Sequence, residues 1–238
     1  MSTGIDRLEA IAGTYDSASD FDFHLICYNY REMKPRLRGP SVLEMGCASG
    51  VMTRWLAADF PAVHVVDGSS LYLQQVAPTV GKHVHFHHAL FEEFKPPQRF
   101  NDIIMARALE HLEDPVGILK TMRRWLEPAG RLHLVVPNAT SLHRRVGVAM
   151  GLLERPDALS ERDHKYGHHR VYDANLLREH LTAAGWSIER LTGVFLKPLS
   201  NAQMTSFSPE LLEAFFRVGH ELPDYCAELY AIAHVPQA

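Results

Sequence analysis

The feature that most constrains this chain is the segment 42–50, whose sequence is VLEMGCASG. A short apolar run includes the carboxylate of Glu44, and two glycines follow at Gly46 and Gly50. The next ten residues carry an apolar stripe at helical spacing, formed by Met52, Trp55, Leu56 and Phe60. The pattern predicts a strand, a tight turn and a helix whose N-terminus faces a ligand. Glycines in such a turn let the backbone approach that ligand, and the helix start supplies unpaired N–H groups.

The spacing of this turn argues against a dinucleotide as the ligand. A dinucleotide fingerprint has the form G-x-G-x-x-G, with helix N–H groups aimed at a pyrophosphate. Glu44 occupies the position of the first glycine, and its carboxylate would repel a pyrophosphate. A cationic or neutral ligand fits better, and a plain strand-to-helix turn without a ligand is the alternative.

The pattern E-x-G-x-x-x-G at 44–50 resembles motif I of the class I methyltransferases, which bind S-adenosylmethionine. With the motifs described below, this resemblance covers residues 40–195. It implies that S-adenosylmethionine is the cofactor and S-adenosylhomocysteine the product. The cofactor contacts that it implies in this first half of the site are Glu44, Gly46, Cys47, Ala48, Gly50, Asp67, Gly68 and Ser69.

Composition limits the remaining possibilities. The 238 residues suit one domain with insertions, and a hydrophobic content of 46% can build a full core. A net charge of −4 argues against a nucleic-acid partner bound by a broad basic surface. The three cysteines (Cys27, Cys47 and Cys226) are widely spaced, which predicts reduced thiols in a cytoplasmic protein. No apolar run approaches 18 residues, so we expect neither a membrane span nor a membrane partner.

A second predicted strand, over 62–67, ends in Asp67, about 20 positions after Gly46. In doubly wound folds an acid at this distance ends the second strand and accepts hydrogen bonds from ribose hydroxyls. The alternative is a turn or helix-cap residue in front of Ser69. The fold context favours the ribose role.

A third strand is predicted over 84–88, where His83, His85 and His87 alternate. Imidazoles suit zinc or copper, but such a site needs a further ligand from elsewhere in the chain. In the predicted fold this strand lies at a sheet edge, where polar side chains are expected. We therefore predict no metal.

Two further segments resemble cofactor-binding parts of the same family. The segment 88–94 resembles its adenine-contacting loop, in which Leu90 and Phe91 either pack on the purine or belong to the core. After a fourth strand at 100–106, the sequence RALEHLEDP resembles the Leu-Glu-His segment of small-molecule and quinone-type methyltransferases. The resemblance implies that the methionine end of the cofactor is lined by Arg107, Ala108 and His111. A helix-start hydrogen bond is the alternative role for His111. The tetrapeptide of amino-methylating DNA enzymes does not follow this strand, so nucleic-acid bases are not the expected acceptors.

The chain alternates strand and helix up to a fifth strand at 131–137. This alternation predicts a mostly parallel sheet covered on both faces, with ligands beyond the carboxyl ends of its strands. A sixth strand at 186–195 and a last, antiparallel strand at 225–234 complete the fold that the resemblance implies. The fold class is α/β, a Rossmann-like, doubly wound, seven-stranded sheet with helical lid elements. Residues 1–39 would form a helical cap, and 40–238 the methyltransferase domain, with insertions at 138–173 and 198–222.

The cap and the first insertion supply the predicted acceptor contacts. A helix over 21–33 either packs on the sheet or acts as a lid, and a Tyr-Asp pair such as Tyr15-Asp16 begins the cover in many relatives of this kind. In the insertion, a Gly-His-x-Arg-x-Tyr pattern resembles one branch of the family, where it closes over the acceptor. A solvated loop capped at Asp173 is the alternative. The substrate contacts implied are Tyr15, His168, His169, Arg170 and Tyr172.

The sequence thus predicts a small-molecule methyltransferase that acts on an O or N nucleophile. Histidine is the natural general base near neutral pH, so His168 is the first catalytic candidate and His111 the second. A non-catalytic scaffold that binds S-adenosylmethionine is the alternative, and a nicotinamide oxidoreductase is opposed by Glu44. The expected partner is a small methyl acceptor, and the expected assembly is a monomer or homodimer.

Overall fold

A computed structural model describes residues 4–236, which form seven β-strands in one sheet and ten α-helices. The strands are β1 (Ser41–Met45), β2 (Ala62–Asp67), β3 (Val84–His88), β4 (Phe100–Ala106), β5 (Leu126–Pro137), β6 (Ser187–Val194) and β7 (Glu228–His234). Their order across the sheet is β3-β2-β1-β4-β5-β7-β6. All pairings are parallel except those of β7 with β5 and β6. The predicted mostly parallel sheet with one antiparallel strand is confirmed for these residues.

The helices cover both faces of the sheet. They are α1 (Gly4–Ala12), α2 (Asp22–Met33), α3 (Val51–Asp59), α4 (Ser70–Val76), α5 (Pro115–Met122), α6 (Leu142–Ala149), α7 (Glu161–Tyr166), α8 (Ala174–Ala183), α9 (Asn201–Met204) and α10 (Pro209–Gly219). Apolar residues of α5 and α8 form one core cluster with strand residues such as Leu43 and Met105. Residues of α2, α3, α4 and α10 form a second cluster with Val42, Val65 and Ile104. Alternate residues of the strands therefore face two separate cores, as expected for a doubly wound sheet.

Most element boundaries agree with the sequence, and the differences have local causes. The strand predicted at 131–137 begins earlier, at Leu126, because Leu126 pairs with Phe100 before a β-bulge. Helix α4 stops at Val76, and the chain continues as a 3-10 turn over Ala77–Thr79, where Pro78 lacks the N–H that an α-helix needs. No helix of residues 4–236 is both long and apolar enough to cross a membrane.

The reversed strand β7 brings its first residue to the same edge of the sheet as the carboxyl ends of its neighbours. Glu228 pairs with Pro137 at the end of β5 and with Val194 at the end of β6. Its carboxylate is buried, with the residue 2% exposed. An acidic side chain, whose pKa burial raises to about 7, thereby lies at the edge where ligands bind in folds of this type.

Candidate functional site

A cavity of about 980 Å³ opens at the carboxyl edge of the sheet. It is lined by the glycine turn, the ends of β2 and β4, the cap helices and the first insertion. Ligand pockets have volumes of roughly 300–1,000 Å³, so this cavity lies at the upper end of that range. It has room for a nucleoside-sized ligand together with a second small molecule.

The two glycines of the first turn serve different purposes. Both have left-handed backbones, with φ of +85° at Gly46 and +73° at Gly50. A Cβ at Gly46 would lie 3.5 Å from the Cβ of Ala108 and 3.6 Å from the ring of Phe91, which both line the cavity. A Cβ at Gly50 would lie 2.6 Å from the Val76 side chain, in the core below the turn. Gly46 therefore keeps the cavity open, whereas Gly50, which does not line it, allows α4 to pack.

Two buried acids stand beside this turn on the cavity wall. Asp67 accepts hydrogen bonds from the backbone N–H groups of Cys47 (2.9 Å) and Ser69 (2.8 Å), so it also holds the turn in place. Burial raises the pKa of Asp67. The hydroxyl of Thr53 donates to Glu44 at 2.6 Å, and burial raises the pKa of Glu44 to about 8.

The first cap helix lies against the end of β2 through Glu9, a residue that the sequence did not single out. The Glu9 carboxylate accepts from the Ser69 hydroxyl (2.7 Å) and from the N–H groups of Ser70 (2.7 Å) and Leu71 (3.3 Å). These hydrogen bonds, that of Ser69 first, lower the pKa of Glu9 to about 2. Ser69 thus faces α1 and does not line the cavity, although Gly68 beside it does.

The two segments that follow β3 and β4 also line the cavity. The predicted residues there that line the cavity are Leu90, Phe91, Arg107, Ala108 and His111. Arg107 has a left-handed backbone with φ of +57°. Its N–H donates to the Val135 carbonyl at 2.7 Å, so this unusual conformation is fixed by the neighbouring strand.

An ionic cluster around Arg107 joins the cap to the sheet. The guanidinium lies 2.8 Å from the Glu228 carboxylate and 3.3 Å from that of Asp22 in α2. Asp22 also accepts from the Tyr15 hydroxyl (2.8 Å) and pairs with Arg162 of α7 (2.9 Å). Burial alone would raise the pKa of Asp22, but the two arginines more than offset it and keep this carboxylate ionised. Tyr15 accordingly lies on the cavity wall, where burial raises its pKa.

The first insertion brings His168 onto the segment that contains His111. The two imidazole rings are 4.7 Å apart and nearly perpendicular. The Nδ1 of His168 lies 2.8 Å from a carboxylate oxygen of Asp163, and the N–H of His169 donates to the Glu110 carbonyl at 2.9 Å. Burial, the largest cause, lowers the pKa of His111 to about 3, so this ring is neutral.

The same cluster contains groups that could hold a metal ion. Ligand atoms of Glu110, His111 and His168 lie within 4.8 Å of one another. The Glu110 carboxylate is buried, and neither of its oxygens has a hydrogen-bond partner among residues 4–236. The expectation that the chain binds no metal therefore stays a prediction.

Comparison with known proteins identifies the family of this chain. Residues 20–191, well over half of the chain, match the family described as "Methyltransferase domain". The chain belongs to this methyltransferase family. The family indicated by motif I and the Leu-Glu-His segment is thereby confirmed.

Curated relatives of this chain include two ubiquinone biosynthesis O-methyltransferases and one uncharacterized protein. A ubiquinone biosynthesis O-methyltransferase of Marinobacter nauticus is 23% identical over 211 residues, which cover 82% of this chain and 86% of that protein. The mitochondrial enzyme of the same name from Schizosaccharomyces pombe is 25% identical over 118 residues, 47% of this chain and 43% of that protein. An uncharacterized protein of Synechococcus is 32% identical over 110 residues, 43% of this chain and 26% of that protein. The chain thus spans between a quarter and three fifths of the length of the first curated relatives it matches.

Solved structures share the fold. The N-methyltransferase NodS of Bradyrhizobium japonicum, in complex with S-adenosylhomocysteine, has a TM-score of 0.63 at 16% identity, covering 97% of this chain and 99% of that one. An S-adenosylmethionine-dependent methyltransferase from Mesorhizobium loti has a TM-score of 0.62 at 19% identity, covering 92% of this chain and 99% of that one. These likenesses establish the fold as that of the methyltransferases.

Two of the predicted substrate residues do not line the cavity of this family member. Tyr172 is fully buried in the core with α8, and its hydroxyl lies 3.2 Å from Nδ1 of His180. Arg170 donates to the carbonyls of Leu112 (2.5 Å) and Glu113 (3.3 Å). Both residues therefore hold the insertion against the sheet, whereas His168 and His169 line the cavity.

The histidines of the edge strand form contacts of their own, away from the cavity. His87 lies 2.9 Å from His64 of β2, nitrogen to nitrogen, and the two rings are stacked. Nε2 of His83 lies 2.7 Å from the Ala57 carbonyl oxygen. Because His83 turns to a backbone partner, the alternating histidines do not converge as the ligands of one ion would.

Several cavity residues escaped prediction because their partners are distant in sequence. They are Asp22, Asp163, Lys197 and Glu228. Glu9, which holds α1 against the end of β2 without lining the cavity, was missed as well. A local signal existed for two of them. Ser160 and Asp163 have the spacing of a capping box, which the structure forms, and Glu228 is a charge at the start of an otherwise apolar strand.

Proposed function

We propose that this chain transfers a methyl group from S-adenosylmethionine to an oxygen or nitrogen nucleophile of a small molecule, releasing S-adenosylhomocysteine. One observation carries the proposal: in a chain of the methyltransferase family, Glu44, Gly46 and Asp67 line the same cavity as Arg107 and His111. The names of the curated relatives and of the structural neighbours are in keeping with it. We further propose that the reaction takes place in the cytoplasm, in keeping with the three free cysteines.

The residues on the cavity wall fit such a cofactor. Gly46 leaves the space that a Cβ would fill beside Ala108 and Phe91, so the backbone can approach the ligand. Oδ1 of Asp67 accepts the backbone N–H of Ser69 and keeps a lone pair for a ribose hydroxyl, while Oδ2 accepts the N–H and, at 3.5 Å, the thiol of Cys47. We assign the adenine to Leu90 and Phe91 and the methionine end to Arg107, Ala108 and His111.

The cap and the two insertions would enclose the acceptor. Tyr15 and Asp22 from the N-terminal segment meet Arg162 of the first insertion and Asn201 of the second on one wall. When bound, S-adenosylmethionine supplies an electrophilic methyl group on a sulfonium. The protein then has to hold a nucleophile in line with that methyl group and exclude water, and positioning of this kind can supply roughly 7–11 kcal/mol.

If the nucleophile is a hydroxyl, we propose His168 as the base that takes its proton. The Asp163 carboxylate beside Nδ1 favours the proton on that nitrogen, which leaves the Nε2 lone pair free to accept another. General base catalysis of this kind contributes roughly 10²–10⁴-fold. His111, neutral beside it, is the second candidate. An amine acceptor has less need of a base.

Calorimetric titration of the purified chain tests the proposal. S-adenosylmethionine and S-adenosylhomocysteine should bind with micromolar affinity and NADH should not. Asp67→Asn should weaken binding of both at least tenfold, while Asp173→Asn, the same change at the N-cap of α8 outside the cavity, should not. Binding of NADH alone, or equal affinities in the two variants, would overturn the assignment.

A screen of phenols and amines with labelled S-adenosylmethionine would then identify the nucleophile. Methyl transfer to an acceptor distinguishes an enzyme from a scaffold that only binds the cofactor. In active preparations, His168→Gln should slow transfer to a phenol by 10²–10⁴-fold without changing cofactor affinity.

A further inference from the structure

Lys197 is a buried cation on the cavity wall without a carboxylate partner. Lys197 is 6% exposed and lies between the end of β6 and the second insertion. Of the other cations on this wall, Arg107 and Arg162 each lie within 3.3 Å of the Asp22 carboxylate, and Arg144 lies 3.3 Å from that of Asp163. Arg7 also lines the cavity but is exposed to solvent. Among residues 4–236, no carboxylate oxygen lies within 4.0 Å of the Lys197 ammonium nitrogen.

The backbone is shaped to bring Lys197 to this wall. Phe195, two residues earlier, has φ of +62°, a left-handed conformation that side chains other than glycine rarely adopt. The carbonyl of Phe195 accepts from the N–H of Ala227 at 2.8 Å, and the carbonyl of Lys197 accepts from the N–H of His143 at 3.0 Å. Left-handed backbones at non-glycine positions cluster at functional sites, where the surrounding structure holds them.

His143 is a second polar group on the same wall. His143 lines the same cavity, and its Nδ1 is buried without a hydrogen-bond partner among the described residues. Burial, and then the charge of Lys197, keeps the pKa of His143 well below its usual value, so the ring is neutral and carries one N–H. Burial also lowers the pKa of Lys197 to about 8, which leaves the amine mostly charged at neutral pH.

The neighbouring carboxylates do not satisfy this amine. The Asp22 carboxylate already accepts hydrogen bonds from Tyr15 and Asn201. It also forms ion pairs with Arg107 and Arg162. One carboxylate oxygen of Glu228 pairs with the Arg107 guanidinium, while the other is buried and has no hydrogen-bond partner among the described residues. A buried ammonium left unpaired is costly, and an anionic ligand would remove that cost. The alternative to an anionic ligand is a rotation of the Lys197 side chain that pairs its amine with Glu228.

We propose that the methyl acceptor carries an anionic group, a carboxylate or a phosphoryl group, which Lys197 and His143 bind. This inference rests on the proposed methyl transfer, because it names the acceptor that shares the cavity with the cofactor. The reacting nucleophile would lie near His168, and the anionic group on the wall that holds Lys197. Specificity for an anion over its neutral analogue would then come from Lys197, a buried cation whose charge no neighbouring carboxylate balances.

The test uses benzoate, phenylphosphonate and the neutral analogue benzamide as probes. Each is titrated calorimetrically into the full chain, both free and saturated with S-adenosylhomocysteine. At least one anion should bind tenfold or more tightly than benzamide, as expected for a charge-assisted hydrogen bond. The better of the two anions identifies the carboxylate or the phosphoryl class. Equal affinity for the anions and benzamide would overturn the proposal, whether or not S-adenosylhomocysteine binds.

Three variants assign the preference to the named residues. Lys197→Met should abolish the preference for an anion over benzamide without weakening S-adenosylhomocysteine binding. Lys197→Arg should keep this preference, and His143→Gln should reduce it two- to fivefold. A Lys197→Met protein that retains the preference would contradict the inference. So would one that loses only cofactor affinity, since Lys197 would then serve the cofactor. If Lys197→Met does not fold, Lys197→Arg is compared with the natural chain across the three probes. Loss of the anion preference in Lys197→Arg would then contradict the inference.

Discussion

Nδ1 of His168 lies 2.8 Å from a carboxylate oxygen of Asp163. The two residues stand on either side of the C-terminal turn of α7, where Gly167 has φ of +80° and reverses the chain. The Ser160 N–H and hydroxyl donate to the same carboxylate. Burial would raise the pKa of Asp163, but His168 and Ser160 more than offset it, so a fixed negative charge faces the imidazole.

This contact predicts the tautomer of His168. In the natural chain we expect the neutral ring to carry its proton on Nδ1, facing Asp163. Asp163→Asn removes the charge but keeps an oxygen for the Ser160 cap, so the helix should survive while the proton moves toward Nε2. Long-range ¹H–¹⁵N correlation spectra of the imidazole report the tautomer directly. Asp157→Asn, at an exposed site of the same insertion, is the control, and an unchanged tautomer in Asp163→Asn would contradict the prediction.

Glu9 is predicted to hold the first cap helix against the end of β2. Glu9→Gln keeps the side-chain shape but removes a charge from the N-terminus of α4, where an anion is favourable. We expect amide hydrogens of α1 to exchange roughly two- to fivefold faster, and S-adenosylhomocysteine to dissociate faster by a similar factor. Hydrogen exchange by mass spectrometry and stopped-flow dissociation provide the measurements. Glu210→Gln makes the same change in the first turn of α10 and should leave both rates unaltered.

The two glycines of the first turn should respond differently to alanine. Gly50→Ala combines a left-handed backbone with a clash against Val76 at 2.6 Å, so it should lower the free energy of unfolding by about 2–4 kcal/mol. Gly46→Ala meets only ordinary contacts, and its cost in stability should be about 1–2 kcal/mol. Because its methyl group enters the cavity, Gly46→Ala should weaken S-adenosylmethionine binding at least tenfold. Urea unfolding and calorimetry separate the two effects, and the reverse ranking of the two stabilities would count against this account of the turn.

Glu44 should make the stability of the free protein depend on pH. Its pKa rises from 4.5 to about 8 on folding, chiefly through burial, so the folded state keeps a proton that the unfolded chain has released. Stability is therefore predicted to fall as pH rises from about 5 to 8, by at most about 1.4 kcal/mol per pH unit. Glu44→Gln, whose amide oxygen still accepts from Thr53, removes this contribution. The difference between the two unfolding free energies, measured in urea at several pH values, should grow with pH, and parallel curves would refute the assignment.

The fold could be predicted from sequence because its signals are local. The strands ending at Asp67, His88 and Ala106 have the boundaries that their apolar runs suggest. Each ends with a polar or small group at the point where the chain turns. Since carboxyl ends of parallel strands meet at one edge, the positions of the cavity residues followed from the order of the elements.

The ionic part of the site could not be predicted in the same way. Asp22, Arg107 and Glu228 come from the cap, the end of β4 and the start of β7, and their contacts span more than 80 residues of sequence. Arg170 and Tyr172 show the opposite error. Their sequence pattern predicts substrate contacts. Whether such side chains face the cavity or the core depends on how the insertion folds back on the sheet, and local spacing does not specify this.

The three left-handed residues that are not glycine, Ala48, Arg107 and Phe195, are found on or next to the cavity wall in the described chain. Each such conformation costs about 1–3 kcal/mol, so the protein is less stable than its core alone would make it. Selection for heat resistance without regard to activity should accumulate glycine or asparagine at these positions and lose ligand affinity with them. A thermostable form that keeps its chemistry would instead have to gain its stability elsewhere, on the two helical layers away from this edge.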